Sequence, residues 1–582
     1  MFRTLLQFIV FIGFFSSAYA QELSPTATGQ EAVYATAGRY GMVVAQHHIG
    51  AEVGAEILAR GGNAVDAAVA TGFALAVVLP RSGNIGGGGF MLVYLAGEQK
   101  TTAIDYRETA PAAASGNMFL DRQGNVDQQL STKSRASAGV PGTVAGLYYA
   151  HRKYGLLPWA DLLAPAIRLA EEGFPVSDYL AQLLRSRKDR LGVTRAGLEI
   201  FYKPGGGFYA PGEMLRQQDL AKTLKRIAEN GPDGFYRGPV ADLIVAEMAR
   251  GHGLISHADL ENYTVTEAPA VIGSYRGFEV VSMPPPSSGG VHIIQMLNVL
   301  ENFDLRQTGP GSAATIQVMA ETMKYAYADR SQHMGDPAFH EVPLAWLTDK
   351  EYARQIAGKI KRGGVVPSSQ IKPGTPPAPE SPETNHYSIV DKYGNAVSTS
   401  TTLNLTFGSG IVVAGAGFLL NNEMDDFSAK PGVPNAYGLT GGAANAIEPG
   451  KRPLSSMSPA IVLKDGKPVF ITGSPGGSRI ITAVLQSIVN YIDFENSAGQ
   501  AVQSPRIHHQ WLPDVLFLEP GFSPETIIKL RQAGYTVKVG QVFTAVEAIE
   551  IAPGGWIYGY ADPRRADGGA VGLCVEDMAV AC

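Results

Sequence analysis

The sequence predicts an α+β fold on three grounds. Apolar residues recur three and four apart through much of residues 140–360, β-rich runs cluster near residues 387–402 and 469–472, and glycine turns punctuate both. Of 582 residues 45% are apolar and 17% charged, with 68 glycines and 37 prolines, which suits a loop-rich globular enzyme better than a fibrous or disordered chain. That length accommodates several domains or one large intertwined unit. The net charge of −6, with no Lys/Arg run, leaves no basic field for nucleic acid.

Residues 1–20 read as a signal peptide: Arg3, an apolar stretch from Leu5 to Phe15, and the small-x-small site Ala18-Tyr19-Ala20. The apolar run is short of the roughly 20 residues that a membrane span needs, so no membrane association is expected. The mature chain, beginning at Gln21, is therefore expected in the periplasm or outside the cell. The two cysteines, Cys574 and Cys582, either close a tail loop or remain separate thiols.

Small-residue helices are expected over Ala51 to Arg60 and Ala64 to Val78. The run Gly86 to Gly89 lacks the Lys-Ser/Thr and the spacing of a phosphate loop. Strands follow at Phe90 to Leu95 and Thr102 to Tyr106, ending at Arg107. Helices are expected at Trp159 to Glu172, Leu220 to Glu229 and Ala313 to Tyr327, a capping box at Ser256 to Asp259, and a strand at Phe278 to Met283.

The pattern changes at Gly363 to Glu383, which carries prolines at 367, 373, 376, 377, 379 and 382 and is expected to be exposed and mobile. A β-rich segment starts at Thr384. An ordered strand beginning where a linker ends is the layout of a cut site, or of an ordinary interdomain boundary. Asp391 to Asn395 make a turn, and a hairpin centred on Tyr393 sets Thr402 opposite Thr384, with Asn404 one pleat beyond. Further on, the strand Val469 to Thr472, the turn Gly473 to Ser478 and the helix Arg479 to Ile492 aim backbone N–H groups at one point. Gly476 and Gly477 there are candidates to stabilise an oxyanion.

Six blocks together resemble the signature of γ-glutamyltransferases in order and spacing: Asp105 to Pro111, Thr384 to Ser388, Thr402 to Asn404, Asn421 to Phe427, Arg452 to Pro459 and Gly473 to Gly477. The resemblance runs from about residue 30 to 570. Two departures stand out, Asn385 where a threonine is often found and Glu423 where some relatives carry glutamine.

The resemblance implies an N-terminal-nucleophile hydrolase with a four-layer αββα sandwich. Its precursor would cut itself between Glu383 and Thr384, and residues 21–383 and 384–582 would stay associated as large and small subunits of one intertwined domain. Thr384 is then the nucleophile, Thr402 its hydrogen-bonding support, and Gly476 and Gly477 the oxyanion hole. Arg107, Ser455 and Ser456 would hold the α-carboxylate of a γ-glutamyl group. Asn404, Glu423 and Asp426 would take its ammonium, and the segment Asn435 to Lys451, with Tyr437, resembles a lid. The implied activity is γ-glutamyl transfer from glutathione to water, an amino acid or a peptide, with no cofactor or metal. Rival expectations are a glutaryl-type β-lactam acylase or poly-γ-glutamate hydrolase on the same scaffold, and a non-catalytic periplasmic binding protein.

Overall fold

The computed structural model describes residues 34–361, 363–374, 385–430, 433, 435–436, 439, 442–540 and 544–575. The signal segment, Glu383, Thr384, Tyr437 and Cys582 lie outside the described residues.

Two seven-stranded antiparallel sheets form the centre. In the first, the strands run Gly569–Leu573, Gly41–Ala45, Asn385–Asp391, Ala396–Thr402, Gly88–Leu95, Lys100–Tyr106 and Thr266–Pro269. In the second they run Thr36–Gly38, Ile557–Ala561, Glu547–Ile551, Lys467–Gly473, Ala460–Lys464, Phe278–Ser282 and Val271–Tyr275.

Strand side chains alternate between faces, and the buried clusters follow that period. Met42, Val44, Phe90, Leu92 and Val390 of the first sheet meet Val281, Ile461, Ile471 and Ile549 of the second, forming the layer between the sheets. Their neighbours Val43, Met91, Val93, Tyr387 and Ile389 face the other way, onto helices that include Ala64–Val78 and Thr143–Tyr154. Val280, Val462, Phe470 and Ala548 of the second sheet pack outward under the helices Gly289–Leu300, Ala313–His333 and Arg479–Ile492. Helix, sheet, sheet and helix are thus stacked as an αββα sandwich.

Small residues make the close packing feasible. The helix Ala64–Val78 starts at a capping box in which Asn63 and Asp66 bond reciprocally, and all its residues are buried. A Cβ at Gly72 would stand 2.7 Å from the Tyr387 hydroxyl, so glycine is what lets this helix lie against the Asn385–Asp391 strand.

Several boundaries match the sequence reading, among them Ala64–Val78, Trp159–Glu172, Ala396–Thr402 and Arg479–Ile492, and the Ser256 capping box is present. The mainly helical stretch is interrupted by three strands between Thr266 and Ser282, and the helix expected to end at Tyr327 continues to His333. In the proline-rich segment Gly363, Pro367, Ser369, Gln370 and Lys372 are exposed, as expected, but two residues are not. Ser368 and Ile371 are buried, Ile371 packs with Val299, Tyr325, Tyr352 and Ile356, and Trp511 Nε1 donates to the carbonyls of Ser368 (3.0 Å) and Ile371 (3.2 Å). One isoleucine with apolar partners outweighs the polar and proline-rich composition around it.

Candidate active site

The hairpin has the expected register: Asn385 pairs with Thr401 and Val390 with Ala396, around a turn closed by Asp391. Asn385 is the first residue of its strand, at the sheet end where Thr402 terminates the partner strand. Even-numbered residues of both strands point between the sheets, and at this end they are polar. The buried His386 ring lies between Ser400 Oγ (2.9 Å from Nδ1) and Ser388 Oγ (3.0 Å from Nε2). Burial lowers the His386 pKa to about 3, so the ring is neutral.

The Gly86–Gly89 run has its function here, in close approach rather than phosphate binding. A Cβ at Gly87 would stand 1.9 Å from the Thr402 carbonyl oxygen, and one at Gly89 2.3 Å from that of Ser400. Thr402 is fully buried, its Oγ1 accepts from the Asn404 N–H (2.7 Å), and its carbonyl accepts from Asn84 Nδ2 (2.8 Å). Asn404 follows with φ +68°, a left-handed turn that ends the strand and swings its amide inward.

The Lys467–Gly473 strand brings the glycine turn to the same place. A Cβ on Gly473 would meet the His386 ring at 2.2 Å, so Gly473 fixes the second sheet against the start of the hairpin. Gly476 and Gly477 follow with φ +131° and +64°, conformations that glycine adopts without strain. Their carbonyls begin the helix Arg479–Ile492, accepting from Arg479 and Ile480, while their N–H groups meet no backbone acceptor among the described residues.

Arg107 and Arg330 are the two largest fully buried side chains among the described residues. For Arg107 the partners are charged. Its guanidinium binds Glu423 Oε1, Asp426 Oδ2 (2.5 Å) and the carbonyls of Pro453 (3.1 Å) and Leu454 (3.2 Å), and Glu108 stands 3.5 Å away. Three expected recognition residues, Arg107 on one side and Glu423 and Asp426 on the other, are therefore already paired with each other. Burial opposes the charge, yet Glu423, Asp426 and Glu108 hold the Arg107 pKa above its ordinary value. Burial, then the Glu423 charge, pushes Glu108 and Asp426 well above the usual carboxylate range, and burial raises Glu423 too. One guanidinium thus faces three buried carboxylates, which leaves the cluster with an excess of acceptor oxygens.

Asn404 Oδ1, Glu423 Oε2 and Asp426 Oδ1 are buried and have no hydrogen-bond partner among the described residues. These are the three acceptors expected to receive an ammonium. Unsatisfied buried acceptors cost about 1–3 kcal/mol each, a cost that a fitting cation removes. Asn404 Nδ2 donates to the Asn422 carbonyl (2.9 Å), which ties it to the turn carrying Glu423 and Asp426.

Ser455 Oγ accepts from the Met457 N–H (3.1 Å), and Ser456 Oγ accepts from Arg330. Neither hydroxyl donates a hydrogen bond to a described residue. In the segment from 435 to 451 Asn445 is buried and its Nδ2 donates to the Asp426 carbonyl (2.7 Å). Sequence reasoning missed two charged neighbours. Glu108 sat inside a quoted motif but received no role. Arg330, buried on the helix Ala313–His333 beside Ser288 and Ser456, gives no local signal, because a single arginine at helical spacing looks like a surface residue.

An αββα sandwich with a central hairpin opening beside a glycine turn defines the class of N-terminal-nucleophile hydrolases. The chain belongs to the γ-glutamyltranspeptidase family, whose model it matches over residues 50–572. It is 51% identical over 555 residues to the glutathione hydrolase proenzyme of Escherichia coli (strain K12), covering 95% of this chain and 96% of that protein. It is 39% identical over 547 residues to the acylase ACY 1 proenzyme of Pseudomonas sp. (strain SE83), covering 92% and 94%. Among solved structures it resembles a cephalosporin acylase from Bacillus halodurans (TM-score 0.85, 28% identity, 95% of this chain and 99% of that one). It also resembles the γ-glutamyltranspeptidase of Helicobacter pylori (TM-score 0.56, 48% identity, 56% of this chain and 94% of that one).

Proposed function

We propose that the protein is a γ-glutamyltransferase and glutathione hydrolase, made as a precursor that hydrolyses its own Glu383–Thr384 bond. Residues 1–20 are removed on export to the periplasm or medium, and residues 21–383 and 384–582 remain together as one processed enzyme acting on small substrates. No described helix is long and apolar enough to cross a membrane.

The cut frees the α-amine of Thr384, whose ordinary pKa of about 7.7–8 makes it a usable base for the neighbouring hydroxyl at neutral pH. That hydroxyl attacks the γ-carbonyl of the donor, the Gly476 and Gly477 N–H groups stabilise the oxyanion, and the amine proton leaves with the released amine. From glutathione the product is cysteinylglycine. Water or an amino acid or peptide then attacks the γ-glutamyl ester and restores Thr384. Thr402 supports the hydroxyl, Arg107, Ser455 and Ser456 hold the donor's carboxylate, and Tyr437 belongs to the lid.

The observation that carries the reading is the trio of unpaired buried acceptors at Asn404, Glu423 and Asp426 beside Arg107. It matches an α-ammonium next to an α-carboxylate; a glutaryl group keeps the carboxylate but has no ammonium for these acceptors. The acylase reading has its own support in the acylase relatives. Steady-state rates on γ-glutamyl and glutaryl anilides decide between them: a preference for the glutaryl compound overturns the proposal. Thr384→Ala should stay uncut and release no anilide. N-terminal sequencing of active wild-type material should find a chain beginning Thr-Asn-His-Tyr.

A further inference from the structure

Two residues about one turn apart on the helix Ala313–His333 reach into different parts of the site. The Tyr327 hydroxyl donates to the carbonyl of Ser478, the residue after Gly477. Arg330 Nη2 donates to Ser456 Oγ, and Arg330 Nε donates to Ser288 Oγ (3.0 Å). Both side chains are buried, and the guanidinium carbon of Arg330 lies 5.7 Å from the centre of the Tyr327 ring. About 4.5 Å of helix axis separates the two positions, a span that the backbone hydrogen bonds keep constant.

Ser288 closes the arrangement. Its Oγ and its N–H both donate to the Ser455 carbonyl (2.8 Å each), so Arg330, Ser288 and the Ser455–Ser456 backbone form a ring of bonds. A hydroxyl oxygen that accepts from Arg330 turns its own hydrogen away from the guanidinium. Burial pulls the Arg330 pKa down to about 9, against the opposing pull of Tyr327 and Asp426, so the group is charged at neutral pH but deprived of water. A desolvated cation beside Ser456 favours an anion in that place. Neither Tyr327 nor Arg330 has a part in the reaction described above.

We propose that Arg330 is a positioning residue for donor recognition: acting through Ser456, it sets that hydroxyl toward the donor's α-carboxylate and places a buried positive charge behind it. Tyr327, on the same helix, fixes the oxyanion turn instead. The inference rests on the reading of Ser455 and Ser456 as the groups that hold the carboxylate.

The test compares wild-type enzyme with Arg330→Lys on two substrates, a γ-glutamyl anilide and the same anilide with its α-carboxylate converted to the amide, with rates normalised to the cut fraction. Lysine keeps the charge but not the planar fork that bonds Ser288 and Ser456. KM for the acid should rise by about tenfold to a hundredfold, the worth of one hydrogen bond to a charged group, with kcat nearly unchanged. For the amide kcat/KM should change by less than about threefold, because the lost interaction has no partner there. Ser288→Ala, which frees one edge of the guanidinium and leaves its charge in place, should give the same pattern at about threefold, and it decides the matter should Arg330→Lys fail to fold or cut. Tyr327→Phe should lower kcat on both substrates alike. Equal losses on the two anilides for Arg330→Lys or Ser288→Ala overturn the proposal and make Arg330 a packing element. If the wild-type enzyme takes both anilides equally well, the carboxylate reading of Ser455 and Ser456 falls, and this proposal falls with it.

Discussion

The layer between the two sheets differs at its two ends, although the same hairpin lines both. At the turn end Val390 and Ala396 join Met42, Phe90, Leu92, Ile461, Ile471 and Ile549 in a dry core. At the other end the equivalent positions are His386, Ser388, Ser398, Ser400 and Thr402, with Ser398 Oγ bonding the Thr472 carbonyl (3.2 Å) and the Ala460 N–H (3.1 Å). The apolar end supplies the adhesion, since each buried aliphatic side chain contributes about 1.5–3 kcal/mol. The polar end contributes less net stability per contact but holds each group in one orientation. Rigidity beside position 384 is thus obtained with hydrogen bonds, supported by burial elsewhere.

Substitutions at the two ends should separate these contributions. The largest effect is expected from Gly473→Ala, which drives a methyl into the His386 ring at 2.2 Å. Self-cleavage and anilide release should fall by about a hundredfold or more, in line with the sensitivity of catalysis to displacements near 1 Å; near-normal rates would show that the sheets tolerate a shift there. At the opposite end Met42→Ala, at the residue paired with Val390, should cost about 2–5 kcal/mol in denaturant unfolding, with kcat/KM of the folded enzyme unchanged. A loss of activity without loss of stability would erase the distinction between the ends.

The third test is acid sensitivity. His386 is held neutral, its pKa lowered from 6.5 to about 3 by burial. The unfolded chain takes up that proton below pH 6.5, so the stability His386 contributes is lost as the pH falls from there toward 3. Between pH 7 and 5 this amounts to about 2 kcal/mol, and His386→Gln should remove that share of the decline in melting midpoint. Asp105, Asp329 and Asp425, raised to about 6 by burial, act in the opposite sense and lose stability as the pH rises through 6. His47 and His292, also lowered to about 3, act with His386. The smallest effect is expected for Ser388→Ala, about 1 kcal/mol for one hydrogen bond to His386, with a modest drop in rate.

The hairpin and its register were legible because alternation, turn residues and strand length are local properties. The αββα layering was not legible from pattern alone and came from the resemblance, because adjacent strands of both sheets lie far apart in sequence, as with Gly88–Leu95 beside Ala396–Thr402. Arg107, Glu423 and Asp426 could be named as a set, but their mutual pairing could not, since it depends on burial. Within residues 363–374 the burial of Ser368 and Ile371 was not legible, because composition ignores where the partners of Ile371 stand.

Each sheet interleaves strands of the chain from before and after residue 383, and crosses from one to the other more than once. Gly41–Ala45 lies between Gly569–Leu573 and Asn385–Asp391, and Ala460–Lys464 lies against Phe278–Ser282. Two polypeptides woven in this manner have no seam along which to part. Dilution, salt or partner exchange should therefore leave them together, and only a denaturant strong enough to dismantle both ladders should release one from the other.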